Sequence, residues 1–417
     1  MSFSQALSGL NAQQQKLGAV GNNIANSQTV GFKSSSVQFA DVFAESRIGL
    51  GTRTSAVLQN FSQGNIESTN RNMDLAIAGE GFFRFQQPNG EVGYSRNGQL
   101  TMTADGRMVN AQGAQIMGYA ADDDGNVLAG GDVAPLNVPA GDLAANPTTR
   151  VSTALNLDSR KEEGEGTTTA TLDDGAGGDV SVNYHFSSNY TVFDSLGNAR
   201  NITSYYEKTG ANAWTLTMAM DGQALGGATP TTYSLEFNSN GQLTGDGDNN
   251  AAGVIEDITF GANDFLNDEP DDIVFNLSFD GTTQFGNNST VNDVTQNGFT
   301  SGSLVGVTIE DDGTIMRNYS NEQSLAAGQI ALVSFRNPEG LRPDGDNLWS
   351  ATGASGQELV GAPGTGLRGL IAPSAIETSN VDLARELVDM IVSQRAYQAN
   401  SQTISTQDEL LQTIINL

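Results

Sequence analysis

The last 40 residues of the chain carry the pattern that most constrains its fold. Apolar residues recur there every seven positions, with two more that follow the first and last of them by four: Leu383, Leu387, Met390, Tyr397, Ile404, Leu411 and Ile415. A seven-residue repeat marks the side of a helix that winds around another helix. Ser379 and Asp382 have the spacing of a capping box, which predicts that the helix begins at Ser379. Neither proline nor glycine follows Pro373, so the sequence predicts one helix of roughly 35 residues that needs a partner.

The beginning of the chain has a matching repeat. Phe3, Leu10, Leu17 and Ile24 lie seven positions apart, and Leu7 lies beside this series. Glutamines at 13–15 and asparagines at 22–23 lie between these apolar residues and make the other side of this helix polar. Each terminal helix could dock on a globular body, or the two could form a coiled coil that closes a discontinuous chain. Repeats at both ends favour the coiled coil.

Between its ends, the sequence is typical of β-strands joined by tight turns. The chain has 49 glycines, and Asn-Gly and Asp-Gly pairs separate short alternating runs. Residues 101–110 (TMTADGRMVN) are echoed by residues 307–318 (VTIEDDGTIMRN), each a strand, an Asp-Gly turn and a strand. This echo predicts that residues 73–147 and 296–377 build one discontinuous β-rich domain.

The predicted fold is therefore a mixed, discontinuous multidomain chain that is mainly β by residue count. Residues 1–30 and 378–417 are predicted to form the helical coiled-coil domain, and residues 31–72 a connector without a helical stripe. Residues 148–295 are predicted to form an inserted, acidic, β-rich outer domain. That insert has 22 acidic and 5 basic residues, so it contributes −17 of the chain's net charge of −29.

Charge and composition exclude several classes of function. A net charge of −29 disfavours nucleic acids and anionic membranes, whose phosphates would be repelled. The chain has no cysteine, which excludes disulfides and thiolate chemistry. No apolar run reaches 18 residues, so no membrane-spanning segment is expected. The first 30 residues lack the apolar stretch of a cleavable signal peptide, and none is expected.

Candidate chemical motifs are few. Gly364, Gly366 and Gly369 match a dinucleotide fingerprint, but prolines flank the motif where a strand and a helix are required. Asp246, Asp248 and Asn250 have the first spacings of a calcium loop without its central glycine or final glutamate. Asp264, Asp268, Asp271 and Asp272 could contribute to another acidic site. The sole histidine, His185, lies in a strand-like run and is interpreted as structural. We predict no catalytic, cofactor-binding or metal-binding residues.

Two stretches near the ends carry a family resemblance. Residues 22–33 (NNIANSQTVGFK) and 393–400 (SQRAYQAN) resemble the paired signatures of the bacterial flagellar axial proteins, which include rod, hook and hook–filament junction proteins. Residues 79–83 (GEGFF), 94–98 (YSRNG) and 318–323 (NYSNEQ) are similar to the hook members in particular. The signature residues are Asn22, Asn23, Ile24, Ala25, Asn26, Gly31, Phe32, Lys33, Gln394, Arg395, Tyr397 and Asn400.

This resemblance implies a structural subunit rather than an enzyme. It implies polymerisation into the flagellar hook, a flexible tube that passes torque from the rod to the filament, with the two apolar stripes listed above as the polymer interface. Implied partners are other copies of the chain, the distal rod, hook cap and hook–filament junction proteins, and the flagellar type III export apparatus. The implied location is the hook and basal body outside the cell, reached without removal of an N-terminal signal.

Two alternatives stay open at this point. The first is a distal rod or hook–filament junction protein of the same family, although the length of 417 residues favours the hook. The second is a soluble, acidic, calcium-binding β-rich protein whose terminal helices make only a small oligomer.

Overall fold

The chain folds into two compact units, each built from separate stretches of sequence. The computed structural model describes residues 3–42, 49–122, 124–245, 253–261 and 270–415; the side chains of residues 411, 414 and 415 are outside this description. The first unit comprises residues 1–140, 305–318 and 324–417, and the second comprises residues 141–304 and 319–323. The predicted boundaries at 147/148 and 295/296 lie close to these borders, and the finer division into helical, connector and β domains stays a prediction.

Two long helices stand at the ends of a mainly β chain, as the sequence predicts. Helix α1 spans Phe3–Ala25 and helix α2 spans Leu383–Ile415, with a short 3₁₀ turn at Pro338–Gly340. Neither described helix has an apolar stretch sufficient to cross a bilayer. Helix α1 ends six residues before Gly31, because turns held by Asn26 follow it. Gly31 then adopts φ +71°, where a Cβ would collide with the backbone of Asn97.

Helix α2 begins one turn later than the capping box at Ser379 predicts. The carboxylate of Asp382 accepts hydrogen bonds from the amides of Ala384 and Arg385 at 3.0 and 3.2 Å, which makes Asp382 the N-cap. The side chain of Asn380 donates to the carbonyl of Asn60 and accepts from the amide of Ser34. These bonds hold the preceding residues extended, so the predicted start was wrong.

The strands are numbered in chain order. The first eleven belong to the first unit: β1 Ser35–Val42, β2 Gly51–Gln59, β3 Ile66–Ser68, β4 Asp74–Ala78, β5 Phe82–Gln86, β6 Val92–Ser95, β7 Gly98–Gln99, β8 Thr101–Met102, β9 Met108–Val109, β10 Gln115–Ala120 and β11 Ala134–Pro135. The next thirteen belong to the second unit: β12 Arg150–Asp158, β13 Thr168–Asp173, β14 Asp179–Tyr184, β15 Phe186–Phe193, β16 Ala199–Gly210, β17 Ala213–Met220, β18 Gln223–Ala224, β19 Thr232–Phe237, β20 Leu243–Gly245, β21 Val254–Phe260, β22 Ile273–Ser278, β23 Thr283–Phe285 and β24 Thr290–Gln296. The last nine return to the first unit: β25 Leu304–Ile309, β26 Thr314–Tyr319, β27 Ser324–Ile330, β28 Leu332–Ser334, β29 Arg342–Gly345, β30 Leu348–Ser350, β31 Leu359–Gly361, β32 Leu370–Pro373 and β33 Ala375–Glu377.

Both halves of the first unit contribute to one large sheet. Its central order is β25-β26-β27-β10-β5-β6-β30-β29, and β8, β9, β11, β28 and β31 extend it. Smaller sheets join β32-β4-β7, β3-β33 and β1-β2. Phe83 and Phe85 from the first half share a core with Ile315 and Ile330 from the second. The two echoed segments form strand–turn–strand units, as predicted, with Gly106 and Gly313 at φ +80° and +81° in the turns.

The second unit packs two sheets around a separate core. One sheet has the order β21-β22-β12-β23 with β24 beside β12, and the other has the order β14-β13-β18-β17-β16-β15 with β19 and β20 attached to β17. Alternate residues of β22, Ile273, Phe275 and Leu277, are buried, as the period of two predicts. Asp221 and Gly222 both have positive φ in the tight turn after β17.

Trp214 is the largest side chain in the core of the second unit. It is fully buried, and its indole nitrogen donates to the side chain of Gln284 at 3.1 Å. We expect Trp214→Ala to destabilise the second unit by about 3–5 kcal/mol, because it leaves a cavity. The first unit has its own core, so calorimetry should show a lower transition temperature for the second unit only. Leu196→Ala, at an exposed position of the same unit, should change neither transition; a downward shift of both in Trp214→Ala would contradict independent cores.

Candidate assembly surface on the terminal helices

The two terminal helices pack against each other in antiparallel directions. As the α1 position advances from Gly9 to Asn23, the α2 residue opposite it changes from Asn400 to Glu386. A Cβ on Gly9 would lie only 3.0 Å from the Asn400 side chain, so the absence of a side chain there permits a close approach. Lys16 lies between these positions, with its Nζ 3.8 Å from a carboxylate oxygen of Asp389. The seam is therefore built largely from small and polar residues.

The predicted leucine stripes do not form the centre of this seam. The buried side chains of α1 are those of Ala6, Ala12, Val20 and Asn23, and the buried one of α2 is that of Ser393. Small residues let the helices approach closely, which leaves bulkier side chains at the flanks. The exposed members of the predicted stripes are Phe3, Leu7, Leu383 and Leu387. The half-buried members are Leu10, Leu17, Ile24, Met390, Tyr397 and Ile404. The side chains of Leu411 and Ile415 are outside the described residues.

Asn23, a residue of the predicted family signature, joins three elements of the first unit. Its side-chain amide donates to the carbonyl of Ser35 at 2.9 Å and to a carboxylate oxygen of Glu386 at 3.1 Å. Its side-chain oxygen accepts from the amide of Ser35 at 2.9 Å. The residue is 1% exposed, so α1, the start of β1 and α2 are fixed together by one asparagine.

We expect Asn23→Asp to loosen this junction. The substitution replaces a donor by a carboxylate that faces Glu386, so it removes a buried hydrogen bond and adds repulsion, at a cost of about 1–3 kcal/mol. Amide hydrogen exchange should become faster in α1 and in the first turns of α2. Asn22→Asp is the matched control, because Asn22 is exposed; equal acceleration in both variants would show that net charge, not this contact, is responsible.

A buried ion cluster lies where the chain leaves α1 and where it enters α2. The Nζ of Lys33 is 2.7 Å from Oε1 of Glu377 and 2.7 Å from the carbonyl oxygen of Ser62. The guanidinium of Arg96 donates from Nε to Oε2 of Glu377 at 2.9 Å and to the carbonyl of Gly81 at 2.7 Å. The side chains of Lys33 and Glu377 are completely buried, and that of Arg96 is 3% exposed.

The cluster places two cations against one anion. Burial lowers the pKa of Lys33 from its usual value, and the neighbouring Arg96 lowers it further, whereas the carboxylate of Glu377 opposes both effects. Glu377 also accepts from the amide of Gly64 at 2.8 Å. The carboxylate therefore joins the segment after α1, the residue after β6 and the end of β33. The sequence identified Lys33 through its signature and Arg96 within the hook-like stretch 94–98, but it gave no signal for Glu377, which lies 281 residues beyond Arg96 along the chain.

The side of α2 that faces away from α1 is aliphatic over its first three turns. We call this surface the outer aliphatic patch; its residues and their exposed fractions are Leu383 46%, Leu387 45%, Val388 61%, Ile391 51% and Val392 54%. The seven-residue repeat identified only the first two, because the other three lie outside that stripe. A contiguous exposed apolar surface of this kind is a candidate interaction site.

The other candidate motifs have structural surroundings or are not described. Gly364 and Gly366 have positive φ in a turn after β31, and the strand β32 follows where a dinucleotide site needs a helix. The predicted calcium-loop residues Asp246, Asp248 and Asn250, and also Asp264 and Asp268, are outside the described residues. In the described ranges, no three acidic or histidine side chains are grouped closely enough to hold a metal.

His185 is held by the backbone of the second unit. It lies at the bend between β14 and β15 rather than within one strand. Its Nδ1 accepts the amide of Lys208 at 3.0 Å, and its Nε2 is 3.0 Å from the carbonyl oxygen of Glu165. The ring also packs edge-on against Trp214 at 5.8 Å. These contacts agree with the structural role that the sequence predicts.

Four flagellar families match successive parts of the chain. Residues 4–33 match the flagella basal body rod protein family, and residues 76–154 match the flagellar hook protein FlgE/F/G D1 domain. Residues 156–299 match the flagellar basal body protein FlaE D2 domain, and residues 372–417 match the flagellar basal body rod FlgEFG protein C-terminal family. The matches include both terminal helices and most of both units.

Relatives match over the full length. The chain is 44% identical to the flagellar hook protein FlgE of Escherichia coli strain K12 and 42% identical to that of Salmonella typhimurium, each over 100% of both chains. It is 32% identical to the FlgE of Borreliella burgdorferi over 100% of this chain and 99% of the relative. The crystal structure of Helicobacter pylori flagellar hook protein FlgE2 shares the fold, with a TM-score of 0.55 and 14% identity over 75% of this chain and 100% of that one. This chain belongs to the flagellar hook protein family.

Proposed function

We propose that the chain is a structural subunit that polymerises into the flagellar hook through its terminal helices. The observation that carries this proposal is the outer aliphatic patch on α2. Its five side chains are about half exposed in the single subunit, and burying the exposed half of each is worth half of the roughly 1.5–3 kcal/mol that full burial of an apolar side chain contributes. Other copies of the chain would supply the missing cover.

Helix α2 also extends past the described start of α1. On the register set by Gly9 opposite Asn400 and Asn23 opposite Glu386, Phe3 lies level with Thr406. Leu410, beyond that point, is 59% exposed. This exposure supports a role for the last turns of α2 in contacts between subunits. The predicted interface residues Leu411 and Ile415 belong to the same turns and stay part of the proposal.

The polymer would act as a flexible joint that passes torque from the rod to the filament. Its partners would be other copies of the chain, the distal rod, hook cap and hook–filament junction proteins, and the flagellar type III export apparatus, with export to the cell exterior without removal of an N-terminal signal. No enzymatic step is part of this function. Similarity to hook proteins over the full length of the chain supports the hook over the other axial structures.

Sedimentation of the purified protein tests the proposal. We expect the protein to pass from monomers to long tubes as its concentration rises in salt, with tubes visible by electron microscopy, because salt screens the repulsion between subunits of charge −29. A chelator should change nothing. A small oligomer that never elongates, or one that dissociates when calcium is removed, would contradict the proposal and favour a calcium-binding protein.

A further inference from the structure

A second unpartnered surface lies on the other helix of the pair. A groove of about 610 Å³ runs between α1, the hairpin β1–β2 and the loop that joins β29 to β30. Gly18 of α1 faces this open space, since a Cβ there would meet nothing within 4 Å. Phe32, Val57, Leu348 and Trp349 give it apolar walls, and Val57 is 58% exposed. We call it the helix–hairpin groove; its volume falls in the range of binding clefts.

We propose that the outer aliphatic patch of one subunit docks in the helix–hairpin groove of the next. This inference rests on the proposed function and specifies which surfaces meet. Both surfaces lie in the first unit of the same chain. Both are apolar and exposed, so each would cover the other and remove it from water. Every member of a polymer would then have its patch covered by one neighbour and its groove filled by another.

Charge favours this pairing over a contact between other surfaces. Two copies that each carry −29 repel over most of their surface. Among the described residues that line the groove, Asp346 is the ionisable one. Arg385 is exposed and lies three and seven positions before Val388 and Val392, so it borders the patch on the same side of α2. Docking would bring this cation toward the carboxylate of Asp346.

The positions of the patch and the groove allow the same contact to repeat from one subunit to the next. The patch is on the side of α2 opposite the residues that face α1, such as Glu386 and Ser393. The groove is on a side of α1 that includes Gly18 and Asn22, different from the side of Gly9 and Lys16 that faces α2. Because patch and groove are different surfaces, the contact is heterologous: a docked pair still presents one free patch and one free groove. Such a contact builds an open helical array rather than a closed dimer.

Engineered cysteines test the pairing against a clean background, because the chain has none of its own. Val388→Cys places a thiol in the outer aliphatic patch, and Val57→Cys places one in the helix–hairpin groove. Both positions are exposed. Polymers of the double variant are treated with a short bismaleimide crosslinker, which tolerates small errors of register, and are then denatured. We expect a ladder that continues beyond the dimer. After the same treatment and denaturation, polymers of each single variant should give only monomers. The control pair Val388→Cys with Val305→Cys should do the same; Val305 is 73% exposed elsewhere in the same unit.

Several results would overturn the pairing. Polymers of normal appearance in which the 388/57 pair gives no more crosslinking than the 388/305 pair would show that the patch docks elsewhere, with the proposed function intact. Dimers from Val388→Cys alone would show that two patches face each other. Failure of the unmodified protein to polymerise at all would remove the proposed function, and this contact with it.

Discussion

Val388→Asp is expected to leave the subunit folded and to prevent it from polymerising. Val388 is 61% exposed in the single subunit, so an aspartate there costs the isolated fold little. In a polymer the exposed part of this side chain would be buried, and the lost apolar contact alone is worth about 1–2 kcal/mol. That loss corresponds to an increase of about five- to thirtyfold in the subunit concentration needed for assembly. Burial of the new charge adds a further penalty.

Circular dichroism and sedimentation together measure this effect. The spectrum and the thermal transitions should match those of the unmodified protein, while the sedimenting fraction falls to background. Gln402→Asp is the matched control: it adds the same charge at an exposed position of α2, beyond the aliphatic patch. If Val388→Asp assembles as well as Gln402→Asp, the patch is not an assembly surface.

Glu377→Gln is expected to be among the most destabilising single substitutions in the first unit. The carboxylate is the partner of both Lys33 and Arg96, and all three side chains are buried. Removing it leaves two cations in a site from which water is excluded, at a cost of about 3–5 kcal/mol. Chemical denaturation should show this loss in the transition of the first unit. Glu80→Gln, an exposed glutamate of the same unit, should stay close to the unmodified protein.

Lys33→Met separates loss of the ion pair from loss of packing. Methionine keeps much of the lysine's apolar volume, and Arg96 and Glu377 stay paired at 2.9 Å. Replacing a buried charge by an apolar side chain of similar size is often close to neutral. The expected loss of stability is therefore less than half of that in Glu377→Gln. Equal losses in the two variants would mean that the lysine contact, rather than the unpaired charge, determines stability.

The terminal helices, the strands and the turns could be predicted from the sequence because their causes are local. Seven-residue apolar repeats predicted α1 and α2, and Asp-Gly pairs predicted turns such as that at Gly106. The signatures around Asn23 and Tyr397 indicated the family. Each of these signals depends on residues that lie within one or two turns of each other, where backbone sterics and side-chain periodicity act directly.

The surfaces that matter for assembly were decided only by the tertiary structure. The repeat predicted Leu383 and Leu387 as part of a seam. In the structure, α2 packs against α1 through the side that carries Asn400 and the buried Ser393, and those two leucines are left exposed. Glu377 is 344 residues from Lys33 along the chain, and no local pattern indicates that the two meet. Which side of a helix is buried, and which charges pair, depends on elements brought together from distant parts of the chain; the sequence by itself determined the elements, and their packing determined the faces.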